Sequence, residues 1–135
     1  MTRGERVWTA AQALVGTRFR LHGRDAASGL DCVGLVTRVL ADAGVDPGAV
    51  PDAYRIDSAD VGSVADGLAR AGLVQATDAR CGDVLLLRLA RRRLHLAIAG
   101  PDAIIHAHAG LRRVVLTPGD PPGKIAGRWR VREEG

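Results

Sequence analysis

One cysteine lies where a protein chain readily makes a thiol reactive. Asp31 is a good helix N-cap and an apolar stripe over residues 35–43 ends at Gly44, so Cys32 falls in the first turn of a helix. Unpaired backbone N–H groups and the helix dipole lower the pKa of a thiol there, and the same groups can hold an oxyanion. The position predicts a nucleophile; the alternative is a small buried cysteine of the kind common in helices.

His95 is the candidate base for this thiol. Alternation over residues 94–99 puts His95, Ala97 and Ala99 on one face of a strand. Small neighbours allow a helix end to approach closely, as a Cys–His pair within hydrogen-bond reach requires. The alternative is a histidine that is hydrogen-bonded on a partly exposed sheet face and has no catalytic part.

A third polar group comes from His106 or His108. If the hairpin at Gly100-Pro101 closes on two central residues, His106 lies opposite His95, whereas a four-residue loop puts His108 there. Either histidine could orient the His95 ring, as the third member of a nucleophile, base and orienter triad does. Spacing alone leaves both open.

The same side chains permit a metal site. His106 and His108 point the same way from a strand, and His95, His22 or an aspartate could complete a zinc shell. No His-x-x-Glu-His or Cys-x-x-Cys pattern accompanies them, however, and a metal site leaves the position of Cys32 unexplained. We therefore predict no metal and no other cofactor.

Two halves of different periodicity must position these groups. The first half predicts three helices, which run from a Thr2–Glu5 capping box to Gly16, from about Cys32 to Gly44, and from Ser58 or Asp60 to Gly72. Residues 17–30 and 45–57 are predicted loops. The second half predicts five strands at residues 84–89, 94–99, 103–109, 114–116 and 129–131. Helices followed by an antiparallel meander predict one α+β domain over residues 1–135.

Composition restricts the partners. The chain has 19 Lys and Arg against 15 Asp and Glu, which suggests nucleic-acid binding. Aromatic residues are only 3%, however, so no stacking face is predicted and we expect no specific nucleic-acid partner. No secretory leader or membrane-spanning run is present, so we expect synthesis in the cytoplasm without a signal peptide and no membrane partner. Cys81, at the entrance to a strand, is predicted to be structural.

Several of these segments together resemble one family. Residues 16–20, 23–25 and 29–36 are similar to the nucleophile region of the NlpC-type papain-like cysteine peptidases. Residues 82–86 resemble the entry to that family's first central strand, residues 95–98 the strand of its base, and residues 105–107 the segment of its third polar residue. The similarity extends over nearly the whole chain, and the order of the motifs is specific.

This resemblance implies a fold, an activity and a set of roles. The fold would be a minimal papain-like domain, with the nucleophile at a helix start packed on the C-terminal sheet. Cys32 would be the nucleophile, His95 the base and His106, in preference to His108, the orienting residue. The substrate would be an amide bond in peptidoglycan stem peptides, commonly between γ-D-glutamyl and a diamino acid. The small size resembles the prophage and gene-transfer-agent branch, so phage-tail proteins are expected partners, in a phage-like particle.

Residues before and around the nucleophile are the expected substrate contacts. We predict this part for Phe19, Arg24, Asp25 and Asp31, with Arg20 beside them, although Arg24 and Asp25 could instead pair with each other.

Two residues depart from the family's usual pattern. Phe19 stands where many members have a tyrosine whose hydroxyl helps at the oxyanion site, and Val33 stands where a serine is frequent. These departures favour an alternative function, a tail-assembly protein that keeps the papain-like fold with little or no activity.

Overall fold

The structure is a computed structural model that describes residues 1–48, 61–90 and 93–133. The helices of these ranges are α1 Arg3–Ala13, α2 Cys32–Asp42 and α3 Val61–Arg70. The strands are β1 Arg24–Asp25, β2 Gly29–Leu30, β3 Val74–Gln75, β4 Val84–Ala90, β5 Arg93–Gly100, β6 Ala103–His108, β7 Arg113–Pro118 and β8 Lys124–Arg130. The predicted α+β class is confirmed.

The helix boundaries follow the signals in the sequence. The Thr2 hydroxyl accepts from the Glu5 N–H at 3.0 Å, and the Glu5 carboxylate accepts from the Thr2 N–H at 2.8 Å, which completes the predicted capping box. The predicted start of the third helix at Ser58 or Asp60 lies outside the described residues, as does most of the loop predicted over 45–57. No helix in the described ranges is both long and apolar enough to cross a bilayer.

The strand order corrects the predicted meander. Strands β4 to β7 do follow one another as antiparallel neighbours, but β8 returns to the far side of β4, which gives the order β3-β8-β4-β5-β6-β7. The last predicted strand, residues 129–131, is part of a strand that begins earlier, at Lys124. Its first half was missed because residues 124–128 show little apolar alternation, and their place is fixed by pairing with β4.

The sheet has a thickly covered face and a thinly covered one. The helices pack their apolar side chains on the face of Leu94, Leu96 and Ile98, where the main core lies. A smaller buried cluster on the opposite face consists of Leu85, Leu87, Ala97, Ala99 and Ile104. Alternation along β5 therefore runs as predicted, with His95 on the side of Ala97 and Ala99.

A short ladder between β5 and β6 makes room for the start of α2. The described pairs run from Gly100↔Ala103 to Ile98↔Ile105, and none is described beyond Ile98. Helix α2 contacts both strands, and the backbone of Leu96 on β5 is near enough to the Cys32 thiol to lower its pKa. The first turn of α2 thus lies where the two strands part.

Candidate active site

Cys32 is the first residue of α2, as predicted, and the local backbone holds it there tightly. The Asp31 carboxylate caps the helix by accepting from the Gly34 N–H at 2.8 Å. A β-carbon at position 34 would collide with the carbonyl oxygen of Gly23, so only glycine allows the first turn to lie against the preceding loop. The nucleophile's position is thus set by the Asp-Cys-Val-Gly run as a whole.

Asp31 and Arg24, two of the predicted substrate contacts, form an ion pair with each other. Asp31 is 2% exposed, and its carboxylate accepts from Arg24 at 2.7 Å and from the His22 N–H at 2.8 Å as well as from Gly34. The side chain is therefore hydrogen-bonded inside the protein, and its contact with substrate stays a prediction. Arg24 pairs with Asp31 and not with Asp25, which is exposed and accepts from the Ala27 N–H.

The structure brings two of the predicted histidines together. His95 Nε2 lies 2.9 Å from His106 Nδ1, and their rings meet edge to face. Both are buried, at 7% and 5% exposure. His108 lies beside His106, with 5.5 Å between the ring centroids, and makes no hydrogen bond to His95 within the described structure.

The register between β5 and β6 is the second of the two that the sequence left open, the one that would put His108 directly opposite His95. The hairpin closes on Pro101-Asp102, with Asp102 in the left-handed region at φ 51°, and this pairs Ile98 with Ile105. Continued along the strands, that register puts His106 across from Ala97, one diagonal step from His95. Diagonal neighbours lie within reach of large side chains, and the small Ala97 leaves space for the imidazole to lean across.

Thr117 on β7 extends the line of polar groups and was missed in the sequence. Its hydroxyl oxygen lies 2.9 Å from His106 Nε2. The signal that could have found it is the β6–β7 register, in which Thr117 pairs with Ile104 and so lies diagonal to His106. That register depends on the turn after His108, which the sequence does not specify.

A pocket of about 220 Å³ collects these groups. Its walls include Cys32, His95, His106 and His108, together with the half-buried ring of Phe19. No hydrogen bond joins the Cys32 sulfur to His95 in the described part of the chain; they share the pocket without direct bonding. Val33 is absent from the lining and is 1% exposed in the core, so its departure from serine does not alter the described walls.

The electrostatics of the thiol correct the sequence prediction. Burial above all, together with the nearby Asp31 carboxylate, raises the pKa of Cys32 to about 12. Hydrogen bonds from the backbone of Leu96 and Val33 and the charge of Arg24 act in the opposite direction without compensating. The predicted lowering of the thiol pKa is therefore wrong, because the helix start lies deep in the core and desolvation outweighs it.

The histidines are shifted toward their neutral forms too. Burial lowers the pKa of His95 to about 3, with smaller contributions from His106, Arg93 and His108. Burial also lowers the pKa of His106 to about 4, assisted by His108. At neutral pH the pocket therefore holds a thiol and the uncharged imidazoles of His95 and His106.

Two other residues that were predicted to contact substrate are not part of the pocket lining. Arg20 and Asp25 are exposed. A groove of about 720 Å³ shares Phe19 with the pocket and is lined by Arg18, Arg112 and Arg113. Among the described residues no group of three His, Cys, Asp or Glu side chains is arranged to hold a metal ion. Cys32 and Cys81 are both free thiols.

Comparison with known proteins gives a likeness in structure only. No family model and no curated protein matches the sequence. Among solved structures, NlpC2 from Trichomonas vaginalis is similar over 96% of this chain and 48% of its own, with a TM-score of 0.69 and 15% identity. The NlpC/p60 domain of the peptidoglycan hydrolase SagA is similar over 85% of this chain and 88% of its own (TM-score 0.60, 25% identity).

The peptidoglycan hydrolase RipB from Mycobacterium tuberculosis is similar over 98% of this chain and 66% of its own, with a TM-score of 0.63 and 21% identity. The chain spans about half the length of the first of these structures, 48% of NlpC2. At these identities the comparisons establish that helices packed on a six-stranded antiparallel sheet form the NlpC/P60 fold here.

Proposed function

We propose that this protein is a cysteine peptidase that hydrolyses an amide bond in peptidoglycan stem peptides. The observation that carries the proposal is the pocket shared by Cys32, His95 and His106 at the start of α2. The order of nucleophile, base and third polar group along the chain supports it. SagA and RipB, two proteins of similar fold, are peptidoglycan hydrolases, which supports the substrate class.

The chemistry starts from neutral groups. His95 accepts the Cys32 proton as the sulfur attacks the scissile carbonyl carbon, so the thiolate forms during the attack and not before it. Backbone N–H groups at the start of α2 hold the oxyanion. The protonated His95 then passes its proton to the leaving amine as the C–N bond breaks, which leaves a thioester on Cys32. Water, deprotonated by His95, attacks the thioester and releases the carboxylic acid and the thiol.

The finer assignment follows the resemblance. The bond is the one between γ-D-glutamyl and a diamino acid, and a net charge of +4 favours encounter with a polyanionic wall. Assembly with phage-tail-like particles stays a prediction of the sequence.

The direct test is digestion of purified muropeptides followed by mass analysis of the products. We expect cleavage by the unaltered protein and a loss of more than about 10³-fold in Cys32→Ala and in His95→Ala. Cys81→Ala is the matched control, because it removes the other free thiol outside the pocket. Undiminished cleavage by Cys32→Ala would remove the proposal.

A second candidate, a tail-assembly protein with little activity, is favoured by Phe19 in the pocket wall and by the thiol pKa of about 12. Alkylation separates the two. An active site labels Cys32 at a rate that depends on His95, which withdraws the thiol proton. A purely structural protein labels the more exposed Cys81 first and shows no change in His95→Ala.

A further inference from the structure

Three polar side chains form an unbroken line across three neighbouring strands. His95 on β5 contacts His106 on β6 through Nε2 and Nδ1, and His106 contacts the Thr117 hydroxyl on β7 through Nε2, each at 2.9 Å. His95 has one ring nitrogen left, Nδ1. The line therefore begins at the pocket and ends at a hydroxyl that no step of the mechanism uses.

Proton counting allows only two arrangements of this line. A neutral imidazole carries one N–H, so each histidine must donate through one nitrogen and accept through the other. If His106 donates from Nε2 to Thr117, it accepts at Nδ1 from His95, and His95 Nδ1 keeps a free lone pair. If Thr117 donates instead, every bond reverses and His95 Nδ1 carries the proton, so it cannot act as a base.

We propose that Thr117 is a positioning residue that accepts the His106 Nε2–H bond and thereby keeps His95 Nδ1 unprotonated. Thr117 is half-buried, so its oxygen can accept from His106 while its own proton is donated to solvent. The two imidazoles are buried, and water does not readily replace a lost partner there. The assignment of the tautomers rests on geometry alone. Its consequence for catalysis rests on the proposed function.

The test uses the full chain with ¹⁵N-labelled histidine and reads the tautomers by NMR at neutral pH. We expect His95 and His106 to be Nε2–H tautomers in the unaltered protein and in Thr117→Ser, which keeps the hydroxyl. Thr117→Val keeps the shape without the acceptor, and we expect the Nδ1–H forms to become populated. Thr9→Val, on the exposed surface of α1, is the matched control and leaves the spectrum unchanged.

Muropeptide cleavage supplies the second readout. We expect kcat to fall about tenfold to a hundredfold in Thr117→Val with KM unchanged, and Thr117→Ser to restore it. An Nδ1–H tautomer of His95 in the unaltered protein, or unchanged tautomers in Thr117→Val, would overturn the inference whatever the activity. The expected tautomers in a protein that cleaves no muropeptide would leave the inference standing and remove the proposed function.

Discussion

Two buried polar centres lie on this sheet, and they differ in how their polar groups are accommodated away from water. Asp83, at the start of β4, is fully buried and binds Arg128 at 2.8 Å and Arg130 at 2.8 and 2.9 Å. The pocket of Cys32, His95 and His106 contains no carboxylate partner for its histidines among the described residues. One centre is charged and compensated, and the other is neutral.

The difference separates a structural centre from a reactive one. Bidentate bonds from arginine hold a carboxylate in one geometry, and the Asp83 hydrogen bonds raise the pKa of Arg130 above its ordinary value. These bonds pin β4 to β8. In the pocket, burial keeps the Cys32 thiol and the His95 and His106 imidazoles neutral, so a proton can move between them without separating an ion pair already formed.

Removing the carboxylate of the charged centre should have the largest effect on stability. Asp83→Ala leaves Arg128 and Arg130, which are both partly buried, without their shared carboxylate, and we expect the free energy of unfolding to fall by about 3 to 5 kcal/mol. Urea denaturation measures it. Asp78→Ala is the control, because Asp78 also binds Arg130 but is mostly exposed, and should cost less than about 1 kcal/mol. Equal losses in the two variants would contradict the distinction between the centres.

Acid should weaken the neutral centre. The folded pKa values of His95 and His106, about 3 and 4, lie below the ordinary 6.5, so the unfolded chain binds more protons between these values. Stability is therefore retained above pH 6.5 and lost as the pH falls toward 4 and 3, by about 3 kcal/mol for each histidine at pH 4. Chemical denaturation across this range should show that the free energy of unfolding depends less steeply on pH in the His95→Gln, His106→Gln double variant. An equal dependence on pH would contradict the assignment of neutral histidines in the folded protein.

Asp31 is a buried carboxylate that is paired with Arg24 and that also acts on the pKa of the neutral Cys32 thiol. Asp31→Asn keeps an N-cap and removes a charge that raises the pKa of Cys32, while Arg24 remains. We expect Cys32 alkylation at pH 8 to accelerate by about threefold, which corresponds to half a pKa unit. The labelling rate of Cys81 in the same sample is the internal control, and acceleration of both thiols alike would indicate general loosening.

Charges outside both centres should matter least. Arg18 and Arg113 face each other across a bridge and line the groove next to Phe19. We expect Arg18→Gln with Arg113→Gln to raise KM for anionic muropeptides about threefold at low salt, with the difference vanishing near ~0.5 M salt. Arg6→Gln with Arg70→Gln removes the same charge from exposed helix surfaces and should leave KM unchanged. An equal rise in KM there would show that the effect comes from the net charge of the protein and not from the groove.

Local patterns predicted the elements well where periodicity and caps were strong. The capping box at Thr2, the α2 start at Cys32 and the alternation around His95 each depend on near neighbours in the chain. The crossing of β8 to the far side of β4 depends on pairing between distant residues, and no short pattern records it.

Residue type and spacing indicated candidate members of the site but not its energetics. Cys32 and His95 were selected in this way, whereas His106 was preferred to His108 only through the family resemblance. The thiol pKa was predicted in the wrong direction, because a helix position states nothing about depth of burial. The diagonal contact of His95 with His106, and the presence of Thr117 behind it, depend on hairpin registers that one residue of slip would change.

The position of β8 between β3 and β4 has a consequence for biosynthesis. Residues 124–130 supply the only described pairing partner of β3 and both arginines that neutralise Asp83. While the chain is being made from its N-terminus, β4 to β7 can form a hairpin ladder, but the Asp83 carboxylate stays without its guanidinium groups until this segment leaves the ribosome. Closure of the sheet beside β4 therefore follows the emergence of this segment, and shortening of β8 would affect that step first.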